Sequence, residues 1–152
     1  MTNYNATIDV PGRAGSVGQH LVASGYYDLA GAITGHASTG DTITFANILP
    51  KGGCKVISVQ VVSPELDTDA SPSGICIVGT SADDNGFVTT TNVGLPAQAP
   101  ANGLPLNIQG NGELIGTAVY ERDIIIEFTD ALATSATTGR VRVYAVLEGL
   151  AG

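Results

Sequence analysis

The feature that most constrains the fold is an alternation of polar and apolar residues with a period of two, repeated in short runs. Residues 42–45 read TITF, and residues 54–62 read CKVISVQVV. This period places alternate side chains on opposite faces of a β-strand, so each run is typical of a half-buried strand. Between the runs, Pro50 favours a turn, and Gly52 or Gly53 can adopt the positive φ that a hairpin needs. We therefore predict two strands joined by a tight turn.

Six further runs have the same strand-like character and are separated by clusters of turn residues. No window longer than about ten residues has the 3.6-residue period of an amphipathic helix. Parallel strands would require long crossover connections, which are usually helical. The sequence therefore predicts an all-β fold, an antiparallel β-sandwich with a jelly-roll-like topology. The six runs are residues 20–29, 74–79, 87–91, 113–120, 122–129 and 139–149.

Two segments lie outside this predicted core, the glycine-rich residues 1–40 and the proline-rich residues 91–112. Neutral segments of this kind cannot pack a core alone, but they can lie extended along a neighbouring surface. We predict that both are ordered by contacts with other subunits. Residues 1–40 would form an extended N-terminal arm with an edge strand, and residues 41–152 the β-sandwich domain.

The charge pattern argues against several classes of partner. The chain has six Lys and Arg residues, 14 Asp and Glu residues and a net charge of -8. Nucleic acids and anionic membranes both require clustered basic residues, and in this sequence the basic residues are scattered. The apolar runs have the length of strands, not of spanning helices, and the N-terminus does not resemble a signal peptide. We expect no nucleic-acid partner, no membrane partner and no Sec export.

Residues that could support catalysis are sparse. His20 and His36 have no further histidine or cysteine at ligand spacing, which favours loop histidines over a metal pair. Ser16 lies in AGSVG, which lacks the first glycine of a nucleophile elbow. Cys54 and Cys76 lie in apolar strand-like runs, so we predict two buried free thiols, with a disulfide as the alternative. The sequence predicts no enzymatic activity and no cofactor.

Acidic residues are concentrated in two predicted turns, residues 65–69 (ELDTD) and 81–86 (SADDNG). Their oxygen atoms could bind calcium, but neither turn matches the twelve-residue calcium loop with its closing glutamate. Side chains that bond their own backbone, as in Asx-turns, explain both turns and are favoured. A structural calcium ion stays open as the alternative.

Two adjacent tyrosines are the main candidates for an interface. Tyr26 and Tyr27 lie on one predicted strand and must point to opposite faces, so at least one should lie near solvent or a partner. Large aromatic side chains are frequent interface anchors. We predict an interface that involves Tyr4, Arg13, Tyr26 and Tyr27. A carbohydrate- or receptor-binding module is the alternative of another class, and its stacking rings would come from Tyr26, Tyr27, Tyr120 and Tyr144.

The order of these motifs resembles small structural proteins of tailed-bacteriophage heads. A strand ending in a Leu-Pro-x-Gly turn, residues 49–52, precedes a strand of aliphatic residues. A Val-Gly pair, an Asp-rich turn and an aromatic residue follow in residues 78–87. A polar Thr/Ala/Gly turn then leads into a Val-rich strand in residues 137–146. The resemblance covers about residues 40–148.

The resemblance implies a capsid decoration or cement protein with a β-sandwich fold and no enzymatic activity. Such a protein would be made in the cytoplasm of the bacterial host and would lie on the capsid surface of the virion. Its expected partners are the major capsid protein and further copies of itself, as a homotrimer or dimer. A head fibre, a tail protein or a connector component is the alternative.

Overall fold

The computed structural model describes residues 2–13, 15–30, 38–64, 66–69, 73–92 and 106–150. Within these ranges the chain forms eleven β-strands and no helix. No helix of the described residues is therefore long and apolar enough to cross a membrane. The strands are β1 (Asn3–Asn5), β2 (Thr7–Val10), β3 (His20–Asp28), β4 (Thr42–Phe45), β5 (Cys54–Ser63), β6 (Ile75–Gly79), β7 (Val88–Asn92), β8 (Leu106–Gln109), β9 (Ala118–Val119), β10 (Ile124–Asp130) and β11 (Arg140–Glu148).

The strands form two sheets. One has five strands in the order β1-β4-β10-β6-β7, and the other has six, in the order β2-β3-β11-β5-β8 with β9 also paired to β5. β1 runs parallel to β4, and the other pairings between these strands are antiparallel. The predicted all-β sandwich is confirmed. The jelly-roll topology and the extended arm stay predictions.

The two sheets share one core, which contains all three phenylalanines of the chain. Phe45 and Phe128 enter it from the five-stranded sheet, and each is fully buried. Gly25 of β3 makes room for the Phe45 ring, because a Cβ at Gly25 would lie 3.0 Å from Phe45 Cδ1. Burial of each ring stabilises the fold by about 1.5–3 kcal/mol. The glycine that interrupts the apolar pattern of β3 therefore allows the sheets to approach closely.

The connection between β4 and β5 differs from the predicted hairpin, because these strands belong to different sheets. Residues 46–53 cross from one sheet to the other. The crossing is fixed by buried Ile48 and Leu49, and the Leu49 N–H donates to the Arg122 carbonyl at 2.9 Å. Gly52 and Gly53 do adopt positive φ, 92° and 94°, as predicted. We call residues 46–53 the crossover segment.

The predicted strand at residues 113–120 is mostly a turn, and only Ala118–Val119 pair as β9. The turn packs on the chain near Gly86. The Leu114 N–H donates to the Gly86 carbonyl at 2.8 Å, and a Cβ at Gly112 would overlap that same carbonyl oxygen. This run therefore forms a turn whose backbone contacts the loop at Gly86, and it does not form a long strand in a sheet.

A β-bulge changes the faces of β5. The register with β11 shifts between Val146 and Leu147, so that Ile57 is the extra residue of β5. The prediction placed Ile57 on one face with Val59 and Val61. In the structure Val56 is buried with Val59, and Ile57 is half-buried. A period of two cannot reveal a bulge, because the bulge breaks that period.

The described part of the N-terminal region belongs to both sheets. β1 pairs with β4, the Ala6 N–H donates to the Thr44 carbonyl at 2.9 Å, and β2 then pairs with β3. The proposed division at residue 40 stays a prediction, as does the ordering of residues 1–40 and 91–112 by other subunits. His36 and most of the proline-rich segment, residues 93–105, lie outside the described residues.

The cysteines are free and buried, as predicted. Burial raises the pKa of the Cys54 thiol to about 11 and that of the Cys76 thiol to about 12. The reactive thiolate is therefore scarce near neutral pH in the folded protein.

We expect both thiols to resist iodoacetamide at pH 8 in the native protein and to react rapidly in denaturant. Intact-mass measurements over time would detect the added groups. Equal modification rates with and without denaturant would contradict the burial of the two thiols.

Candidate interaction surface

The two adjacent tyrosines of β3 point to opposite faces of the six-stranded sheet, as predicted. Tyr27 lies in the core with 7% of its surface exposed, and its ring packs against Tyr4 with centroids 5.7 Å apart. Burial, followed by the nearby Tyr4 and Asp28, raises the pKa of Tyr27. Tyr26 lies on the outer side and is only half-buried. It is therefore the one of the pair that a partner can reach.

Two arginines of β11 cover the Tyr26 ring. The guanidinium carbon of Arg140 lies 4.1 Å from the ring centroid and that of Arg142 lies 5.6 Å away, both within cation–π range. Arg140 also pairs with Asp28 at 3.8 Å, and Arg142 with Asp9 at 3.7 Å. These ion pairs are partly exposed, so each contributes little stability but holds the arginines in place.

Register brings the outward side chains of four strands onto one continuous surface, which we call the outer face. Val10 lies opposite Ser24, Ser24 opposite Tyr144, and Tyr144 opposite Gln60. Because side chains two apart along a strand share a face, the neighbouring rows complete this surface. The outer face consists of Thr7, Val10, His20, Val22, Ser24, Tyr26, Asp28, Lys55, Ser58, Gln60, Val62, Arg140, Arg142, Tyr144, Val146 and Glu148.

The centre of the outer face is apolar and open to solvent. Val10 is 45% exposed, Val22 is 52% exposed and Tyr144 is 36% exposed. Val17, also exposed, lies in the loop that leads into β3. Scattered apolar residues are normal on a surface, but a contiguous exposed group marks a candidate interaction site.

On the opposite side of the sandwich, the edge formed by β1 and β4 is polar. On the outside of the five-stranded sheet, the Thr42 and Thr44 hydroxyls donate to Asn3 Oδ1 at 2.7 Å and 2.6 Å. These polar side chains bond one another across β1 and β4. The exposed apolar side chains of the described sheets are therefore concentrated on the outer face of the six-stranded one.

Arg13 lies elsewhere, beside the crossover segment. The Gly12 N–H donates to the Ile48 carbonyl at 2.7 Å, and a Cβ at Gly12 would lie 3.0 Å from Pro50 Cδ. Arg13 and Lys51, which are next in sequence to Gly12 and Pro50 of this contact, are both exposed. The Tyr120 ring, 66% exposed, lies over Gly53 of the same segment. We call Arg13, Lys51 and Tyr120 the crossover patch.

Sequence reasoning missed the crossover patch, because its residues come from three distant parts of the chain. It also described the basic residues as scattered, although Arg140 and Arg142 are two apart on one strand and therefore share a face. Their position over Tyr26 follows from the pairing of β3 with β11, which no spacing in the sequence predicts.

The acidic turn at Asp67 is a backbone anchor, which supports the Asx-turn interpretation. Asp67 is fully buried and accepts the Asp69 N–H at 3.3 Å. In the other acidic turn, the Thr80 hydroxyl accepts the N–H groups of Ala82 and Asp83. Within the described part of the chain, no group of three or more His, Cys, Asp or Glu side chains could hold a metal ion.

Two solved structures match this chain along most of its length. A chain from the cyanophage Pam1 capsid asymmetric unit has 25% identity and a TM-score of 0.65, over 93% of this chain and 91% of that one. A chain from the capsid of Ralstonia phage GP4 has 14% identity and a TM-score of 0.58, over 99% and 100%. No family model and no curated protein matches.

The match to the Pam1 capsid rests on both fold and sequence, whereas the match to the GP4 capsid rests on fold alone. Both cover strands of both sheets, since almost the whole chain is aligned. The resemblance predicted from the motif order is confirmed: the structural neighbours of this chain are chains of phage capsids, as is consistent with a phage capsid-associated protein.

Proposed function

We propose that this chain is a capsid decoration protein that binds the lattice of the major capsid protein and stabilises a phage head. The observation that carries the proposal is the match to the Pam1 capsid chain, which covers 93% of this chain at 25% identity. A virion structural role follows from that similarity. Decoration, the lattice partner and a non-enzymatic role are the finer parts of our proposal.

The physical basis of such a role is linkage. A protein that binds the expanded lattice, but not its dissociated or contracted forms, stabilises the expanded state by its binding free energy. At a free concentration 1,000 times the Kd, each occupied site contributes about 4 kcal/mol. This function requires complementary surfaces and no active site.

We assign the lattice contact to the crossover patch. Arg13 and Lys51 are exposed, and neither takes part in the two ion pairs of the described residues. In a chain of net charge -8, such cations favour an acidic surface on the partner. Exposed Tyr120 adds an aromatic contact beside them. Tyr4, Tyr26 and Tyr27, the other candidate interface residues, then belong to or support the outer face.

The direct test uses expanded capsids that lack this protein. We expect the purified protein to co-sediment with them at saturable stoichiometry and to raise the temperature at which the shells break. Electron microscopy of the reconstituted particles should show added density across the whole head. Density at a single vertex would instead support a connector or tail component, and an absence of co-sedimentation would refute lattice binding.

A single charge substitution tests the crossover patch. We expect Arg13→Gln to weaken capsid binding about 3- to 10-fold and to reduce its dependence on salt, because one exposed charge contributes about 1 kcal/mol. Titration of shells with labelled protein at two salt concentrations measures both effects. Thr138→Glu is the matched control, since it changes the net charge by the same amount on the exposed loop before β11. Equal effects of the two variants would contradict a specific role for Arg13.

A further inference from the structure

We propose that the outer face of the six-stranded sheet is a self-association surface, on which two copies of this chain pack face to face about a two-fold axis. The axis would lie between the six-stranded sheets of the two copies, perpendicular to their strands, at the level of Tyr144. This inference goes beyond the proposed function, because it concerns the purified protein without any capsid.

The outer face is large enough for a weak, concentration-dependent dimer. β3 and β11 are each nine residues long and lie at the middle of the sheet between β2 and β5. Three long strands spaced about 4.8 Å apart, with a rise of about 3.3 Å per residue, give a face of about 14 Å by 30 Å, and the shorter β2 extends it at one edge. Two such faces bury about 1,000 Å² together, which is the size of a weak or transient interface.

The apolar residues of the outer face lie together at its centre. Val10, Val22 and Tyr144 are exposed on neighbouring strands around the small side chain of Ser24. Val146, opposite Val22 in the β3–β11 register, extends the group. An apolar centre with a polar rim is the composition that distinguishes a protein interface from ordinary surface. A two-fold axis at Tyr144 places this centre against its own copy.

The charged residues at the two ends of the outer face are complementary. Arg140 and Asp28 face each other at one end of the β3–β11 pair, and Glu148 and His20 face each other at the other end. A two-fold axis across the strands reverses their direction. It therefore brings Arg140 towards the partner subunit's Glu148, and Asp28 towards the partner subunit's His20. The same contacts recur on the other side of the axis, as symmetry requires.

The charges of β11 select this axis over a parallel axis along the same strand. A two-fold axis that runs along β11 would place Glu148 against the partner subunit's Glu148, and Arg140 against the partner subunit's Arg140. Like charges at close range are unfavourable, and the chain already carries a net charge of -8. When β11 of one copy lies over β11 of the other, its ends match only if the two copies run in opposite directions. A parallel axis between β3 and β11 would instead place Arg140 against the partner subunit's Asp28, and the charge exchange described below distinguishes that arrangement.

The test compares one substitution at two exposed tyrosines. We expect sedimentation equilibrium to show the wild-type protein in a monomer–dimer equilibrium, with a measurable dimer population at about 100 µM. Tyr144→Glu should raise the dimer Kd about 30-fold or more, the effect of losing an interface hot spot. Tyr120→Glu, on the crossover patch, should leave the Kd unchanged. Circular dichroism and thermal melts verify that both variants fold.

A charge exchange tests the direction of packing independently. Arg140→Glu and Glu148→Arg should each weaken the dimer, and the double variant should recover at least part of the loss, because the exchanged charges again face each other. A monomeric wild type, a trimer, equal effects of the two tyrosine variants, or a double variant as weak as the sum of its single changes would each overturn the proposal. Any of these results would leave capsid binding to be judged by its own experiment.

Discussion

Asp67→Asn is expected to lower the free energy of unfolding by about 3–5 kcal/mol. This is the usual cost of removing one partner from a buried network that includes a charge. Asp67 is fully buried. Its Oδ2 accepts three backbone N–H groups, from Ser73 at 2.8 Å, Gly74 at 2.9 Å and Ala133 at 3.0 Å. Its Oδ1 accepts the Thr134 N–H at 3.0 Å. Asparagine has the same shape but offers only one acceptor atom.

The expected loss is large because an amide NH₂ would face backbone donors on one side of residue 67. Each buried donor left without an acceptor costs about 1–3 kcal/mol. The network also joins two loops, since the Thr68 N–H donates to the Thr134 carbonyl at 2.8 Å and the Ala136 N–H to the Leu66 carbonyl at 2.9 Å. Loss of the hydrogen bonds to Asp67 should therefore destabilise the packing of both loops.

Urea unfolding followed by circular dichroism measures the change, with Asp84→Asn as the control. Asp84 is exposed, so its substitution should change stability by less than about 0.5 kcal/mol. Similar midpoints for the wild type and Asp67→Asn would contradict the anchoring role.

The stabilisation by Asp67 should also depend on pH. Burial acts to raise the pKa of Asp67, but hydrogen bonds from four backbone N–H groups outweigh it and lower the pKa from 3.8 to about 2. A lowered pKa means that the contribution is complete well above pH 3.8 and declines as the pH falls towards 2. The difference in stability between wild type and Asp67→Asn should therefore shrink between pH 5 and pH 2. A constant difference over that range would contradict the ionised state of Asp67.

Gly79→Ala is expected to destabilise the fold by about 3 kcal/mol or more, through a collision with backbone atoms. A Cβ at Gly79 would overlap the Asp83 carbonyl oxygen and lie 2.6 Å from the Asp84 carbonyl oxygen. The turn cannot move away freely, because the Thr80 N–H donates to that Asp83 oxygen at 2.8 Å. Chemical denaturation of the variant measures the cost.

Gly52→Ala separates steric overlap from backbone conformation. Gly52 has a φ of 92°, but a Cβ added there would have no neighbouring atom within 4 Å. Alanine at this position should therefore cost only the strain of a left-handed residue, about 1–2 kcal/mol. If Gly79→Ala proves no more harmful than Gly52→Ala, the turn at residues 80–86 is more adaptable than its hydrogen bonds suggest.

The same contact explains why the Val-Gly pair and the Asp-rich turn occur together. The turn folds back over the end of β6, and only a residue without a Cβ lets it approach. The motif that pointed to head proteins is thus a close backbone contact. The motif indicates the family resemblance because a close contact of this kind constrains the geometry of the chain.

Periodicity predicted the long strands well, because their alternation reflects one buried face. β4 begins and ends where the TITF run does, and β3 continues through Gly25 despite the gap in its pattern. The β4–β5 hairpin was wrong, since a turn signal does not say whether the next strand stays in the same sheet. Apolar Ile48 and Leu49, directly before Pro50, were the available sign of a crossing, because a solvent-exposed hairpin loop would leave both side chains in water.

The candidate surfaces were less predictable than the strands. Tyr26 could be found because adjacent residues of a strand must point in opposite directions. Its neighbours Arg140 and Arg142 could not, because they depend on the register of strands more than 100 positions apart. The same holds for Asp67, whose donors at Ala133 and Thr134 come from a distant loop. Long-range pairing, which a single sequence does not encode in any local pattern, determines both.

The pairing of β3 with β11 has a consequence for biosynthesis. β10 lies between β4 and β6, and β11 lies between β3 and β5, so each sheet is completed by a strand from residues 124–148. Until translation has passed Glu148, the six-stranded sheet lacks its middle strand, and the edges of β3 and β5 stay open to other chains. Folding should therefore be slow compared with helical proteins of equal length, because the sheet is complete only when strands more than 100 positions apart have paired.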